Sequence, residues 1–348
     1  MAALQPLVRR RLAQQALRVP SNIRSLQTTD RLIVPHPATS HGQVASTQQT
    51  ANEVKKFDTA AASQNPQDQH KPDSVEPGVN NTFNRFNLSG GTYIVTGGSQ
   101  GLGLAMAEGL AEAGGRVHCL DRGPEPSEHF KVAAERLLPY DGGRLFYHQV
   151  DITDTGALND AIVKISDEHK RLDGVIAAAG IQKISPAIEY SVEDAKSMLD
   201  VNFTGVLMTA TAAARQMMKY KCQGSIVLVA SMSGMIANKG LISPVYNASK
   251  AAVIQLTRSL SMEWAKVRDD GIGGIRVNAL SPGHIVTPMV RKNFEEVEGL
   301  RATWEAENMM GRISDPEEFK GAGLFLLSRA SSFMTGNNLV IDGGHTAW

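Results

Sequence analysis

The sequence predicts an α/β protein with a single doubly wound domain, whose seven-stranded parallel sheet has the order 3-2-1-4-5-6-7. Two observations lead to this class. From residue 92 onward, short apolar runs alternate with segments of helical periodicity. The runs carry apolar residues on both faces, as expected for strands buried on both sides. The sequence therefore predicts helices on both sides of the sheet and right-handed crossovers.

Seven runs are assigned to the strands, and no internal repeat is present beyond this alternation. The predicted strands are residues 92–96, 116–120, 145–150, 174–179, 225–230, 275–280 and 338–342.

The N-terminal segment has the composition of a targeting sequence. Residues 1–29 carry five arginines and no Asp or Glu. Arg-rich, acid-free segments of this kind are typical of mitochondrial presequences, and the arginines interrupt any secretory apolar stretch. We predict a presequence over residues 1–26 and a location in the mitochondrial matrix. A disordered basic tail that binds anionic surfaces is the alternative.

Residues 27–85 are rich in Gln, Ser, Thr, Asn and Pro and contain few large apolar side chains. Such a composition does not offset the entropy of ordering the chain, so a disordered linker is predicted. The folded domain is predicted over residues 86–348.

Charge and cysteine content exclude several classes of protein. Without its five N-terminal arginines, the chain carries 30 basic and 35 acidic groups, so a nucleic-acid partner is not expected. No apolar run approaches the roughly 20 residues that span a bilayer, so no membrane association is predicted. Cys119 and Cys222 form no CxxC pair and predict neither a disulfide framework nor a metal site.

A glycine-rich loop, "TGGSQGLG" at residues 96–103, lies between the first predicted strand and an Ala-rich helix. Glycines allow tight turns and close approach of a ligand, and a helix N-terminus offers free N–H groups to a pyrophosphate. The loop therefore predicts a dinucleotide site. Its cofactor-binding residues are predicted to be Gly97, Ser99, Gln100, Gly101, Leu102 and Gly103.

Asp121 ends the second predicted strand, 24 residues after Gly97. A carboxylate there binds ribose hydroxyls and repels a 2′-phosphate, which favours NAD over NADP. Arg122 is adjacent and can pair with such a phosphate, so NADP stays open. Gln100 is neutral and offers that phosphate no second cation.

Tyr246 and Lys250 in "YNASK" are four positions apart. On a helix such residues share one face, with Cβ atoms about 6 Å apart. Most pairs at this spacing are solvated surface neighbours, so the pair alone does not define a site.

Five motifs give the pair a context: "TGGSQGLG", "VNFTG" (201–205), "SIVLVASMSG", "YNASK" and "SPGHIVT" (281–287), in this order. Together they closely resemble the short-chain dehydrogenase/reductase family, over about residues 90–348. The resemblance implies a Rossmann fold and hydride transfer between nicotinamide C4 and a carbinol or carbonyl carbon.

The resemblance also implies catalytic roles for four residues. Tyr246 would be the acid/base. A free tyrosine has a pKa of about 10 and is a poor base at neutral pH, but the positive charges of Lys250 and an oxidised nicotinamide would favour the phenolate. Lys250 would also reach the nicotinamide ribose, and Asn202 would support a water-linked proton path. A serine would donate to the substrate oxygen. The family's usual position relative to the end of the fifth strand gives Ser231. The family's usual spacing before the tyrosine gives Ser233. We choose Ser231.

Further cofactor contacts follow from the same resemblance, at Asp151, Ala179, Gly180, Pro282, Gly283, Ile285 and Thr287. Asp151 has an alternative role as a helix N-cap. His284 is expected either to touch substrate hydroxyls or to face solvent. The sequence departs from the family at "AAAG" (177–180), where two asparagines are usual, and a weaker hold on the cofactor is expected.

Within the family, the segments "IAAAGI", "VASMSG" and "IDGGHTAW" look most like those of fungal polyol and ketose enzymes. This resemblance implies oxidation of D-arabinitol to D-ribulose as the expected reaction. The alternatives are a mitochondrial 3-oxoacyl carrier-protein reductase and a dinucleotide-binding scaffold without catalysis. The family commonly forms tetramers, and the small residues of "TATAAARQMM" and "SKAAVIQL" suit close helix packing. A homotetramer is therefore predicted.

Overall fold

The computed structural model describes residues 81–137 and 142–348. The predicted presequence, 1–26, and the linker up to residue 80 lie outside the described residues. The described backbone opens with a short 3-10 helix, Thr82–Phe86, so the predicted domain boundary at residue 86 falls at the end of this helix.

The described residues form a seven-stranded sheet in which all neighbouring strands are parallel, in the order 3-2-1-4-5-6-7. The predicted fold class and strand order are confirmed. The strands are β1 (Thr92–Thr96), β2 (Arg116–Asp121), β3 (Arg144–Gln149), β4 (Gly174–Ala177), β5 (Ser225–Val229), β6 (Arg276–Pro282) and β7 (Asn338–Ile341).

Helices cover both faces of the sheet. In the part of the chain that is described they are α1 (Gly101–Glu112), α2 (Glu128–Leu137), α3 (Thr155–His169), α4 (Val192–Leu199), α5 (Val206–Lys219), α6 (Pro244–Trp264), α7 (Pro288–Glu296), α8 (Leu300–Glu307) and α9 (Lys320–Leu327). None of these helices is both long and apolar enough to cross a bilayer.

Two hydrophobic cores lie on opposite faces of the sheet. One is formed with α3, α5 and α6, and the other with α1, α2 and α9. Consecutive residues of β1 face different cores, since Ile94 packs in the first and Val95 in the second, and both are fully buried. This placement explains why the central strands read as unbroken apolar runs.

Strand ends differ from the prediction where the chain leaves or extends the sheet. β4 ends at Ala177, before the predicted residue 179, and the Ala179 N–H lies 3.4 Å from the Thr96 hydroxyl. β6 continues to Pro282, beyond the predicted residue 280, because its pairing with β7 extends to Ile341. Both changes lie at the carboxyl edge of the sheet, where parallel-sheet proteins bind ligands.

His118 on β2 is the centre of a cluster of three imidazoles. Its Nδ1 lies 2.9 Å from Nε2 of His148 on β3, and its Nε2 lies 3.2 Å from Nε2 of His169 at the end of α3. Burial, together with the neighbouring histidines, lowers the pKa of His118 to about 3. His118 is therefore neutral at physiological pH, so one of its ring nitrogens donates a hydrogen bond and the other accepts one.

This cluster predicts loss of stability in acid. Because folding lowers the pKa of His118, the unfolded chain binds a proton below pH 6.5 that the folded chain does not, and stability falls as pH decreases toward 3. Between pH 7 and 5, His118 accounts for about 2 kcal/mol of this loss. In urea titrations at the two pH values, His118→Leu should lose correspondingly less stability than the wild type. An equal loss in both proteins would contradict the assignment.

Candidate active site

A cleft of about 450 Å³ lies at the carboxyl ends of the strands. Of the residues predicted to form the catalytic and cofactor sites, all but Ser99 and Asn202 line it. Its lining comes from the loop after β1, the segments that follow β2, β3, β4 and β5, the helix α6, and the segment after β6.

The glycine-rich loop has the geometry of a phosphate cradle. Gly97 has φ +68°, and a Cβ there would lie 2.8 Å from the Ala179 Cα. A Cβ at Gly103 would lie 2.2 Å from the Gly97 carbonyl oxygen, so a side chain there cannot be accommodated. The N-cap of α1, Gln100, makes no side-chain cap, which leaves the first N–H groups free for an anion. These residues fit a dinucleotide pyrophosphate.

Ser99 is turned away from the cleft. Its hydroxyl oxygen accepts a hydrogen bond from the Ser127 N–H over 3.1 Å, and its carbonyl oxygen accepts one from the Ser127 hydroxyl over 2.5 Å. The Ser99 N–H donates to the Asp121 carboxylate over 3.2 Å. Ser99 therefore fixes the shape of the loop. Its predicted contact with the cofactor stays a prediction.

Two carboxylates and a guanidinium lie at the β2 end of the cleft. One oxygen of Asp121 accepts the Ser99 N–H and the other accepts the Arg122 N–H over 2.9 Å. Asp151 accepts the N–H and the hydroxyl of Thr153, which lowers the pKa of Asp151, and the charge of Arg122 acts in the same direction. The N-cap of α3 is Asp154. The alternative role of Asp151 as that cap is therefore wrong.

Asn202 holds the turn that follows β4. Its Oδ1 accepts the Ile181 N–H and its Nδ2 donates to the Ile181 carbonyl oxygen, both over 2.9 Å, and Nδ2 also donates to the Ser249 hydroxyl. Gly180 lies directly beside this amide and the Lys250 ammonium. The turn thus keeps an amide brace although the "AAAG" segment has no asparagine.

A π-helical turn, Asp200–Gly205, places Asn202 in the interior. Such turns widen a helix and are frequent at functional sites. Gly205 lies where a Cβ would approach the Ile152 Cδ1 to 2.6 Å, so any side chain there would require Ile152 to move. No feature of the sequence other than this glycine marks the turn.

Tyr246 and Lys250 lie side by side on α6, and the Lys250 Nζ is 5.7 Å from the centre of the Tyr246 ring. The buried ammonium donates to the Val229 carbonyl oxygen over 2.8 Å, and burial lowers the pKa of Lys250 to about 8. Burial raises the pKa of Tyr246, and an interaction with the Ser231 hydroxyl acts in the opposite direction. The protein alone therefore keeps the phenol protonated at neutral pH. The phenolate expected from Lys250 together with an oxidised nicotinamide stays a prediction.

Of the two candidate serines, Ser231 lines the cleft and interacts with the Tyr246 phenol. Ser233 lies behind it, with its N–H and its hydroxyl both 3.1 Å from the Ser231 oxygen. The geometry favours Ser231 for contact with substrate and Ser233 for orienting it.

The segment after β6 closes the cleft. Thr287 caps α7 by accepting the Val290 N–H over 3.3 Å, and the Ile285 backbone pairs with Ser314. Gly283 packs against Asp342, to which a Cβ would approach within 2.6 Å. These contacts fix the backbone of Ile285 and the hydroxyl of Thr287 at the cleft wall.

Neither expectation for His284 fits the structure. The ring is 7% exposed and stacks on Trp304 of α8, with centroids 3.5 Å apart and planes 7° from parallel. Burial and His345 lower its pKa to about 3. His284 therefore faces neither solvent nor the cleft and connects the β6 loop to α8.

Sequence reasoning did not find several residues that shape the site. Ser127 supports the phosphate loop, and an amide pair, Gln182 and Asn293, joins the segment after β4 to α7. None of them belongs to a motif, and their positions follow from tertiary contacts alone.

The comparison with known families agrees with this geometry. Residues 97–346 match a family model described as "Enoyl-(Acyl carrier protein) reductase", one of the short-chain dehydrogenase/reductases. The chain belongs to the short-chain dehydrogenase/reductase family. The resemblance drawn from the motifs is thereby confirmed, and the chain is an oxidoreductase of a family that binds NAD or NADP.

The alignments with similar proteins cover nearly the whole length of those proteins. A short-chain dehydrogenase/reductase of Aspergillus versicolor, notP′, is 38% identical over 279 residues, 80% of this chain and 94% of the relative. The ribulose-forming D-arabinitol 2-dehydrogenase of Candida albicans is 35% identical over 289 residues, 79% of this chain and 100% of the relative. A crystal structure from Mycobacterium marinum, a short-chain type dehydrogenase/reductase, gives a TM-score of 0.70 at 35% identity and covers 77% of this chain and 100% of that one.

The two serines give a direct test of the site. Ser231→Ala removes the hydroxyl in the cleft, and we expect kcat for carbonyl reduction to fall by about 10²-fold. Ser233→Ala leaves that hydroxyl in place and should cost less than about tenfold, since it removes a supporting contact only. Steady-state kinetics that follow NADH consumption measure both. A larger loss in Ser233→Ala would reverse the assignment.

Proposed function

We propose that the chain catalyses reversible hydride transfer between NAD(H) and a sugar alcohol/ketose pair, with D-arabinitol and D-ribulose as the first candidates. One observation carries the proposal: the phenol of Tyr246 lies in the cleft with the Ser231 hydroxyl and the Lys250 ammonium beside it. This arrangement suits proton transfer to or from a substrate oxygen. A bound nicotinamide would supply or accept the hydride.

In ketose reduction, the protein's own groups handle the oxygen. Ser231 donates a hydrogen bond to the carbonyl oxygen and polarises it. Tyr246 then gives its proton to that oxygen as the C–O double bond becomes a single bond. The raised pKa of Tyr246 keeps this proton in place at neutral pH.

In alcohol oxidation, Tyr246 accepts the hydroxyl proton and therefore has to ionise. Burial opposes ionisation, so the positive charge of Lys250 has to offset it. With its pKa at about 8, Lys250 keeps most of its charge at neutral pH and loses it in alkaline solution. The side chain is held in place by its bond to the Val229 carbonyl oxygen.

The substrate class is supported by the relatives. The Candida albicans protein that aligns over its full length is named for D-arabinitol oxidation at carbon 2. The cleft is bounded by polar groups at Ser231 and Tyr246 and by the apolar residues Met289 and Val290 of α7, a combination that suits a small hydroxylated chain.

Tyr246→Phe tests the chemistry and the substrate together. With C5 and C6 polyols and ketoses, we expect the wild type to turn over D-arabinitol and D-ribulose, and the variant to lose at least about 10³-fold in kcat because the proton donor is gone. NADH binding, followed by fluorescence titration, is the control and should change little. Unchanged turnover in the variant would favour a different acid/base or a non-catalytic cofactor-binding role.

We propose NAD(H) as the preferred cofactor. Asp121 lines the cleft at the end of β2, where its charge disfavours a 2′-phosphate. Arg122 lines the same region and is the residue through which NADP would bind.

The Asp121→Asn variant removes the negative charge. It keeps one side-chain oxygen, which can still accept a hydrogen bond from the N–H of either Ser99 or Arg122. We expect the ratio of kcat/KM for NAD to that for NADP to fall by about tenfold or more. Asp154→Asn, at the N-cap of α3, is the matched control and should leave the ratio unchanged. A wild-type enzyme that prefers NADP would contradict the cofactor proposal.

A second candidate is a 3-oxoacyl carrier-protein reductase, because the matching family model is described by a carrier-protein substrate. Asp121 and the acidic balance of the chain without its N-terminal arginines weigh against NADPH and an acidic carrier. Turnover of acetoacetyl-CoA with NADPH, in the absence of polyol activity, would establish this candidate in place of the first.

We also propose that the protein is a homotetramer of the mitochondrial matrix. Small side chains on α5 and α6 support close packing of helices from neighbouring subunits. Light scattering measures the assembly, and a monomer would contradict it. N-terminal sequencing of the protein from isolated mitochondria locates the end of the presequence.

A further inference from the structure

Three hydrogen bonds join the phosphate loop to the loop that follows β2. The Ser127 hydroxyl donates to the Ser99 carbonyl oxygen, and the Ser127 N–H donates to the Ser99 hydroxyl oxygen. The Ser99 N–H donates to the carboxylate of Asp121, the last residue of β2. We propose that Ser127 is a positioning residue for cofactor selectivity, which holds Asp121 where its charge excludes a 2′-phosphate; the inference rests on the NAD(H) preference proposed above.

The loop formed by residues 121–127 is braced along its length. Two of its residues are prolines, which restrict the backbone. The Tyr147 hydroxyl on β3 donates to the Gly123 carbonyl oxygen over 2.6 Å. At the end of the loop, the Ser127 hydroxyl accepts the Phe130 N–H over 3.1 Å and thereby caps α2. The same hydroxyl therefore ties both α2 and the phosphate loop to this segment.

Both carboxylate oxygens of Asp121 are held by backbone N–H groups. The Arg122 N–H binds one of them over 2.9 Å, but Arg122 is the next residue in the chain and moves with Asp121. The Ser99 N–H binds the other over 3.2 Å and comes from a different segment. It is this second bond that fixes the carboxylate relative to the phosphate loop. Asp121 lines the cleft and Ser127 does not, so Ser127 acts through Ser99 and not on the cofactor itself.

A fixed carboxylate discriminates between the cofactors better than a mobile one. Held in place, Asp121 accepts hydrogen bonds from the ribose hydroxyls of NAD(H) and opposes the 2′-phosphate of NADP(H). Once the bond from the Ser127 hydroxyl is lost, Asp121 can turn away from that phosphate, which then pairs with the Arg122 guanidinium. Loss of this bond should therefore weaken the binding of NADH more than that of NADPH.

Fluorescence titration with NADH and with NADPH tests the proposal and needs no substrate. In Ser127→Ala, we expect the ratio of the Kd for NADPH to the Kd for NADH to fall about three- to tenfold, because one hydrogen bond is lost. Ser127→Gly lacks the same hydroxyl, but glycine is tolerated at a helix cap, and it should give the same fall. Ser127→Thr keeps a hydroxyl and should hold the ratio within about twofold of the wild type.

Two controls separate selectivity from stability. Ser191→Ala removes the cap of α4, where the Ser191 hydroxyl accepts the Asp194 N–H over 3.0 Å. It should lower the Tm about as much as Ser127→Ala does and leave the Kd ratio unchanged. In an Asp121→Asn background, Ser127→Ala should change the ratio no further, because the charge through which Ser127 acts is gone.

The outcomes separate this inference from the proposed function. A wild type that binds NADPH more tightly than NADH would refute the cofactor preference and the inference with it. A wild type that prefers NADH, with Ser127→Ala and Ser127→Gly variants that keep its ratio or weaken both cofactors equally, would refute the inference alone. A fall in the ratio that persists in full in the Asp121→Asn background would also refute it, since Ser127 would then act without Asp121.

Discussion

The buried ammonium of Lys250 is the constraint on which the site depends. A charged amine this deep is costly unless it is hydrogen-bonded, and the Val229 carbonyl oxygen supplies a bond of 2.8 Å. The bond ties α6 to the end of β5, so the phenol of Tyr246 and the hydroxyl of Ser231 are brought to one place. The remaining cost is visible in the lowered pKa of Lys250, about 8.

The pKa of Tyr246 is raised and the pKa of Lys250 is lowered, and these opposite shifts explain how the site can support both oxidation and reduction. Burial alone favours a protonated phenol and a neutral amine. Proton donation to a ketose thus needs no further change in Tyr246, whereas proton removal from an alcohol depends on a nearby positive charge. The balance between the directions is therefore an electrostatic property of the cleft with its cofactor.

The walls of the cleft are formed where backbone segments approach each other closely. At Gly97, Gly103 and Gly283 a single Cβ would collide with neighbouring backbone, so close approach of the chain to itself defines the walls. The Asn202 amide braces the turn after β4, and Asn293 joins that turn to α7 through Gln182. Rigid walls on both sides of a short cleft are what precise placement of a reacting carbon requires.

The sequence by itself determined the doubly wound parallel sheet and the position of the phosphate loop, because burial on both faces and glycine requirements are local patterns. The residues of the chemical end followed from the family motifs, since the Tyr246/Lys250 spacing alone does not define a site. The sequence did not determine that Ser99 would turn toward Ser127, that His284 would stack on Trp304, or that Asn202 would sit in a π-helical turn. Each of these depends on a partner from a distant part of the chain. Contacts of that kind arise only when the sheet brings the segments together, and no local pattern encodes them.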